Sequence, residues 1–116
     1  MAPSPDFLEY LQDQLAGFGA FEVKRMFGGA GLFRDGLMFG LVAGGDVLHF
    51  KVDDGSRRAF EAEGTGPFTY LRAGKSHALK SYYEVPERLL EDPEELAAWA
   101  RRAFQAALSA DRSGRR

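Results

Sequence analysis

The glycine-rich segment at residues 25–40, RMFGGAGLFRDGLMFG, constrains the fold more than any other part of the chain. Five of its sixteen residues are glycine. Asp35-Gly36 lies between two apolar runs and is typical of a tight β-hairpin, because a type I′ turn needs positive φ at both central residues. The earlier glycines, in GGAG at residues 28–31, stand inside a strand pattern that continues on both sides. We therefore expect a bulge or bend there, in a strand that stays within the sheet.

A phosphate-binding loop is the alternative interpretation of these glycines. Such a loop leads into a helix, and the P-loop form also needs Lys-Ser or Lys-Thr after its last glycine. Here Leu32-Phe33-Arg34 follows GGAG, which predicts a strand. The spacing G-x-G-x-x-G fails as well, because its last position, counted from Gly29, falls on Arg34. The segment favours a sheet over a nucleotide site.

Apolar spacing and capping residues predict three helices and five strands. The predicted order is a helix capped by Ser4, a three-stranded meander over residues 21–52, a short helix capped by Asp53 or Asp54, two strands over residues 67–85 with a turn at 73–75, and a last helix capped by Asp92. Trp99 and Phe104 belong to an apolar stripe on the last helix that we expect to pack on the sheet. The fold class is therefore α+β, a two-layer α/β sandwich with an antiparallel sheet in the order α-β3-α-β2-α.

Length and composition fit one domain. The 116 residues are expected to form a single unit over residues 1–116, with an ordered core at about residues 5–108 and a basic tail at residues 111–116. The absence of cysteine excludes disulfides and thiolate metal sites. No apolar run approaches the roughly 20 residues of a membrane helix, and the start of the chain lacks a signal-peptide pattern. We expect a cytoplasmic protein without a membrane segment.

Charge is distributed unevenly along the chain. Residues 1–100 carry ten Lys or Arg and sixteen Asp or Glu, a balance of −6, whereas residues 101–116 carry five Arg and one Asp, a balance of +4. The acidic body disfavours a phosphate backbone. Direct nucleic-acid binding is therefore expected to be weak at most. Its cationic candidates are Arg101, Arg102, Arg112, Arg115 and Arg116.

Residues with catalytic or metal-binding chemistry are few. The two histidines, His49 and His77, lie in different predicted strands without metal-ligand spacing, and His49 is expected on the exposed polar face of its strand. Ser76 precedes His77, but neighbouring strand residues point to opposite faces and cannot form a nucleophile–base pair. We therefore assign no catalytic, metal-binding or cofactor-binding residues and expect a protein that is not an enzyme.

The predicted polar face of the sheet holds the best chemical cluster. Its members are Arg25, Lys51, Lys80, Tyr82 and Glu84. One interpretation is cross-strand pairing of opposite charges. The other is a candidate interaction face, since an antiparallel sheet covered by helices on one side is open on the other. A small-ligand site, or an uncharacterised enzyme that uses the Tyr, Lys and Glu side chains of this face, is the alternative function.

Several separated blocks of the sequence resemble the TfoX N-terminal domain family, and together they span about residues 5–108. The blocks are Arg25-Met26-Phe27-Gly28-Gly29, Met38-Phe39, Lys51-Val52-Asp53, Phe68-Thr69-Tyr70 and Ser81-Tyr82-Tyr83-Glu84-Val85-Pro86. The resemblance implies an α-β3-α-β2-α fold related to secretion-chaperone-like domains. It assigns no catalytic or ligand-binding role to any of these positions.

The same resemblance implies a non-enzymatic regulatory domain. Members of the TfoX/Sxy type regulate natural competence by helping a cyclic-AMP receptor protein activate DNA-uptake genes, and in them this domain precedes a helical C-terminal domain. The sequence after the last predicted helix leaves no room for that second domain, so we expect a standalone N-terminal domain. The expected partner is a protein, either a transcription factor or a part of the transcription machinery. Self-association into a homodimer would use a sheet edge or the open face.

Overall fold

The computed structural model of the chain describes residues 2–114 and contains helices on one side of a six-stranded sheet. The elements in chain order are α1 (Pro5–Gln14), β1 (Glu22–Met26), β2 (Gly29–Arg34), β3 (Leu37–Val42), β4 (Leu48–Lys51), α2 (Asp54–Ala62), β5 (Pro67–Arg72), β6 (Lys75–Glu84), a 3₁₀ helix (Glu87–Glu91) and α3 (Pro93–Gly114). All neighbouring strands are antiparallel, in the order β1-β2-β3-β4-β6-β5. The predicted α+β fold with an antiparallel sheet is confirmed.

Phe39 of β3 joins the helical layer to the sheet. Its buried ring lies 4.7 Å from that of Phe18, 6.3 Å from that of Phe50 on β4 and 6.5 Å from that of Phe104 on α3, measured between centroids. Burial of each ring of this size contributes roughly 1.5–3 kcal/mol before entropy costs. The apolar stripe predicted on the last helix therefore packs on the sheet as expected.

The helix starts follow from their capping residues. The Ser4 hydroxyl accepts the amide of Phe7 at 3.1 Å, which caps α1. Asp53 begins α2 through a capping box with Ser56, and the Asp92 carboxylate accepts an amide of the first turn of α3. Each side chain satisfies a backbone N–H that has no partner within its helix. All three predicted caps are confirmed.

The bend expected at residues 28–31 is instead a complete hairpin turn. Phe27 and Gly28 both have positive φ, 48° and 76°, and Met26 pairs with Gly29 across the turn. Four strands therefore precede α2, and the predicted order with three strands there is wrong. The pairing of β2 with β3 does contain a register shift, but it lies further along β2, between Leu32 and Phe33.

The β5–β6 hairpin extends beyond the rest of the sheet. β6 has ten residues and β4 has four, and β4 pairs only with residues 82–84 of β6. The distal part of β6 pairs with β5 alone, so it forms a two-stranded projection. Every residue from 69 to 80, a segment that we call the arm, is exposed. In residues 2–114, no helix combines the length and apolar character needed to cross a membrane.

Candidate interaction face

The outer face of the sheet, opposite the helices, is organised around His49. Leu48 and Phe50 point into the core, so the alternation of a strand directs His49 to the other face. The ring of Phe68 on β5 lies edge-on to it, with centroids 5.1 Å apart, and His49 is only 5% exposed. The prediction that His49 is exposed is therefore wrong, because alternation gives its direction but not the neighbour that covers it.

Burial determines the protonation of His49. Loss of water contact lowers the pKa of the imidazole, and this effect outweighs the Leu41 carbonyl and the Glu84 carboxylate, which act in the opposite direction. Nδ1 lies 3.3 Å from the Leu41 carbonyl oxygen, which accepts a hydrogen bond from the tautomer protonated at that nitrogen. The neutral ring is thus held in place as part of the sheet.

Further rings continue from His49 along the hairpin. Phe68 stacks with Tyr70 at 5.8 Å, and Tyr70 stacks with His77 at 5.5 Å, with interplanar angles of 22° and 21°. We call these four residues, His49, Phe68, Tyr70 and His77, the aromatic row. The row begins in the buried part of the sheet and ends on the arm, so it presents ring faces and edges to solvent.

The arm also exposes large apolar side chains. Leu71 is 78% exposed, Tyr70 is 40% exposed, and Leu79 is exposed opposite Phe68. Beyond Leu79 the pairing with β5 is interrupted, because residues 80–82 have no partner in β5 and the register shifts there. Exposed apolar and aromatic groups close together are typical of interaction surfaces.

The arm and its base are basic, whereas the rest of the body is acidic. Residues 64–83 contain Arg72, Lys75 and Lys80 and no Asp or Glu. The segment that follows, residues 84–95, contains six acids and one arginine. The boundary in charge, between Tyr83 and Glu84, lies three residues beyond the end of the arm at Lys80.

The structure brings together only part of the predicted polar cluster. The Nζ atom of Lys51 lies 5.2 Å from the ring centroid of Tyr82, and Glu84 pairs with His49 across β4 and β6. Lys80 is exposed at the base of the arm. Arg25 is separate from them, because its guanidinium donates to the Pro3 carbonyl at 3.2 Å, beside the start of α1.

Tyr82 is a buried hydrogen-bond donor. Its hydroxyl donates to the Met38 carbonyl at 3.1 Å, and burial raises the pKa of the phenol to about 12. The hydroxyl is therefore neutral near pH 7 and fixed to the backbone. Tyr82 and Lys51 share a shallow cavity of about 290 Å³ with residues of β3 and the end of α3.

Two of the five arginines considered for nucleic-acid binding make contacts within the domain. Arg102 binds the carboxylate of Asp53 through two nitrogens, at 2.8 and 2.9 Å, and Arg101 donates to the Gly17 carbonyl at 3.4 Å. Arg112 is exposed on α3. Arg115 and Arg116 lie outside the described residues, as does the end of the predicted basic tail. Weak nucleic-acid binding through these arginines stays a prediction.

The described part of the chain contains no cluster of metal-ligating side chains, and its two histidines lie apart. Within residues 2–114, no three His, Asp or Glu side chains are placed to hold a metal ion. His77 is exposed on the arm, far along the aromatic row from the buried His49. The two histidines are therefore separated by the rings of Phe68 and Tyr70.

The predicted polar face includes Lys80 of the arm but not the aromatic and apolar residues of this hairpin, Phe68, Tyr70, Leu71 and His77. Two signals in the sequence point to them. The stretch from residue 64 to residue 83 has no acidic residue, and it holds Phe68, Tyr70, Tyr82 and Tyr83. What the sequence does not reveal is that this hairpin outgrows its neighbour β4.

Comparison with known proteins identifies one family. The model of the TfoX N-terminal domain family matches residues 13–107. The matched segment starts within α1 and ends within α3, so it includes the whole sheet and the arm. No curated protein sequence matches the chain.

Proposed function

The chain belongs to the TfoX N-terminal domain family, and on that premise we propose that it is a non-enzymatic regulatory domain that acts by binding another protein. The observation that carries this proposal is the arm. Its residues 69–80 are exposed on both strands, and Tyr70 and Leu71 stand on it in contact with solvent.

The energetics of the arm favour a partner. A two-stranded hairpin without a covered face is marginally stable in water. A partner that covers the apolar surface of Tyr70 and Leu71 would gain roughly 25 cal/mol of binding free energy for each Å² removed from water. The arm therefore gains more from contact with a protein surface than a packed part of the domain would.

The protonation states of the outer face support a role without catalysis. His49 is neutral and buried, and the Tyr82 hydroxyl has a pKa of about 12 and donates to a backbone carbonyl. General acid–base catalysis requires a group whose pKa lies near the working pH and whose proton can reach a substrate. The pKa of the Tyr82 phenol lies far above that range, and the His49 imidazole is only 5% exposed, so a substrate has little access to it.

The family suggests where the domain acts. Proteins of the TfoX/Sxy type regulate competence and transcription, so a transcription factor or a part of the transcription machinery is the partner that we propose. The acidic body supports a protein partner over direct contact with DNA. A second copy of the chain is a further protein that this surface could bind.

Site-specific photocrosslinking tests the proposal. A photoreactive residue replaces Tyr70 on the arm, and the matched control replaces Tyr10, which is exposed on α1 on the helical side. The proposal predicts a discrete protein adduct from position 70, either with another protein or with a second copy, and none from position 10. Equal labelling from both positions, together with a monomer in light scattering, would contradict it.

Small-molecule binding is the second candidate function, and one observation favours it. A cavity of about 320 Å³ lies between α2 and α3, and its lining includes Phe60, Trp99, Lys51 and Arg102. A mostly apolar cavity with a few polar or charged groups is the usual form of a small-molecule site. A specific metabolite at about 100 times its Kd would add roughly 2.7 kcal/mol to the free energy of unfolding. An unchanged melting temperature across a metabolite and nucleotide screen would exclude this function.

A further inference from the structure

We infer that β5 is a docking edge for an acidic, extended segment of a partner protein, which adds to the sheet as a further strand. The inference rests on the proposed protein-binding function and goes beyond it by naming the geometry and the chemistry of the bound segment. Main-chain hydrogen bonds supply affinity in this mode of recognition, and alternate side chains supply specificity.

β5 presents unused backbone groups. It is the last strand of the sheet and pairs with β6 alone. The two strands are joined by Ala73 and Gly74, both with positive φ, which form a two-residue turn. The residues that flank this turn, Arg72 and Lys75, pair through two backbone hydrogen bonds, N–H to C=O in each direction. Along an antiparallel ladder, hydrogen-bonded and non-hydrogen-bonded residue pairs alternate. Counted back from Arg72, Leu71 and Thr69 are in non-hydrogen-bonded pairs, so their N–H and C=O groups point away from β6.

The middle of this edge lacks the usual protection against strand addition. Native edge strands carry charges, proline or bulges that prevent pairing with another chain. In β5, Pro67 stands at the start and Arg72 at the end, and the four residues between them are uncharged. The opposite edge strand, β1, differs because Glu22, Lys24 and Arg25 fall within its five residues. Of the two edges, β5 is therefore the one open to a partner.

Charge selects the kind of segment that fits. Arg72, Lys75 and Lys80 lie on the arm, and no acidic residue lies between residues 64 and 83. A second copy that paired β5 with β5 would place these cations beside those of the other arm. Nucleic acid would meet the same cations, but it would also meet the acidic body. A strand that carries Asp or Glu complements the arm without either cost.

The experiment uses the full chain, isotope-labelled for NMR, and a synthetic peptide probe. The probe is a strand-forming peptide of about eight residues in which Glu alternates with Val and Thr. A matched peptide carries Lys in place of Glu. The inference predicts saturable shifts of the β5 amides, slower hydrogen exchange at Thr69 and Leu71, and about tenfold weaker binding of the Lys peptide, as expected when several surface ion pairs are lost.

Two sets of variants separate backbone pairing from charge. Thr69→Pro removes an outward N–H and leaves the ladder to β6 intact, so binding should weaken about threefold to tenfold, the value of one net hydrogen bond. Thr69→Val keeps the N–H and should bind as the natural chain does. The double variant R72Q/K75Q should bind more weakly, whereas R58Q/R112Q, which removes two exposed cations outside the arm, should not.

The outcomes distinguish this inference from the proposed function. If the Glu peptide does not bind at millimolar concentration, or binds Thr69→Pro as tightly as the natural chain, strand addition is overturned. A protein adduct from position 70 would then still support the proposed function. Dimerisation that Thr69→Pro abolishes would assign the edge to a second copy, and tighter binding of a DNA duplex than of the Glu peptide would assign the arm to nucleic acid. Either result would overturn the proposal that an acidic segment of a partner binds to β5.

Discussion

The ring of Phe68 packs against the buried imidazole of His49 at a steep angle, 73° between the ring planes, with ring centroids 5.1 Å apart. This contact joins the projecting β5–β6 hairpin to the centre of the sheet. It also places a titratable group where the charged form has lost water contact. The anchoring of the arm is therefore sensitive to the protonation of one side chain.

The first prediction concerns pH. Because burial lowers the pKa of His49 in the folded state, the unfolded chain takes up the proton first as the pH falls below the ordinary value of 6.5. The free energy of unfolding should then decrease with falling pH from that point, and His49→Leu should reduce the decrease. Urea denaturation between neutral and mildly acidic pH measures both. An identical pH dependence in the two chains would contradict the assignment.

The second prediction concerns the pair that joins α2 to α3. Hydrogen bonds from Arg102 hold the pKa of Asp53 at about 2, below its ordinary value of 3.8. The stability that the ionised carboxylate contributes is therefore kept above pH 3.8 and is lost as the pH falls from there towards 2. Both side chains are partly exposed, so Arg102→Gln should lower the unfolding free energy by about 1 kcal/mol or less. Asp53→Ala also removes the helix cap, so it should cost roughly 1–2 kcal/mol. Denaturant titration of both variants, with Asp53→Asn as the control that keeps a cap, measures the difference, and equal losses for Ala and Asn would contradict it.

The third prediction concerns the turn at Phe27, whose side chain is fully exposed. A bulky residue with a φ of 48° is strained, and type I′ turns favour Asn before Gly. Phe27→Asn should therefore raise the unfolding free energy by about 1 kcal/mol, the lower end of the range for such strain. Phe27→Ala removes the ring but keeps a non-glycine residue at positive φ, so it should have little effect on the unfolding free energy. A destabilised Phe27→Asn variant would mean that the ring makes a stabilising contact in solution.

The fourth prediction compares two glycines of β2. A Cβ at Gly29 would lie 2.5 Å from the Val42 carbonyl oxygen, which is backbone and cannot move easily. A Cβ at Gly31 would approach the side-chain ends of Phe33 and Met38 on the outer face, which can rotate away. Gly29→Ala should therefore cost about 1–3 kcal/mol, and Gly31→Ala clearly less. The reverse order in thermal unfolding would contradict the predicted packing.

Local chemistry explains what the sequence predicts correctly. Ser4, Asp53 and Asp92 act on amides within their own first turns, and Asp35-Gly36 forms its turn without help from distant residues. Such signals depend on short segments alone, so they can be predicted from the sequence. The starts of the three α-helices and the hairpin turn at Asp35-Gly36 follow from them.

The remaining features depend on contacts between distant segments. Phe27-Gly28 is not a typical turn pair, so its hairpin was not visible in the sequence. His49 is buried by a ring from β5, nineteen positions later (68 − 49). The arm exists because β4 ends before β6 does, a difference in strand length that only the pairing reveals. The candidate face was therefore predicted as a polar cluster, whereas its apolar and aromatic part was missed.

The most direct test of the arm as a protein-binding surface is the yield of protein adduct from a photoreactive residue at position 70, measured in the natural chain and in Leu71→Ser. Leu71 is exposed, so its replacement should change the unfolding free energy by no more than about 0.5 kcal/mol. The account predicts that the adduct seen with the natural arm is lost or strongly reduced in this stable variant. An adduct of undiminished yield in Leu71→Ser, or no adduct with either chain, would contradict it.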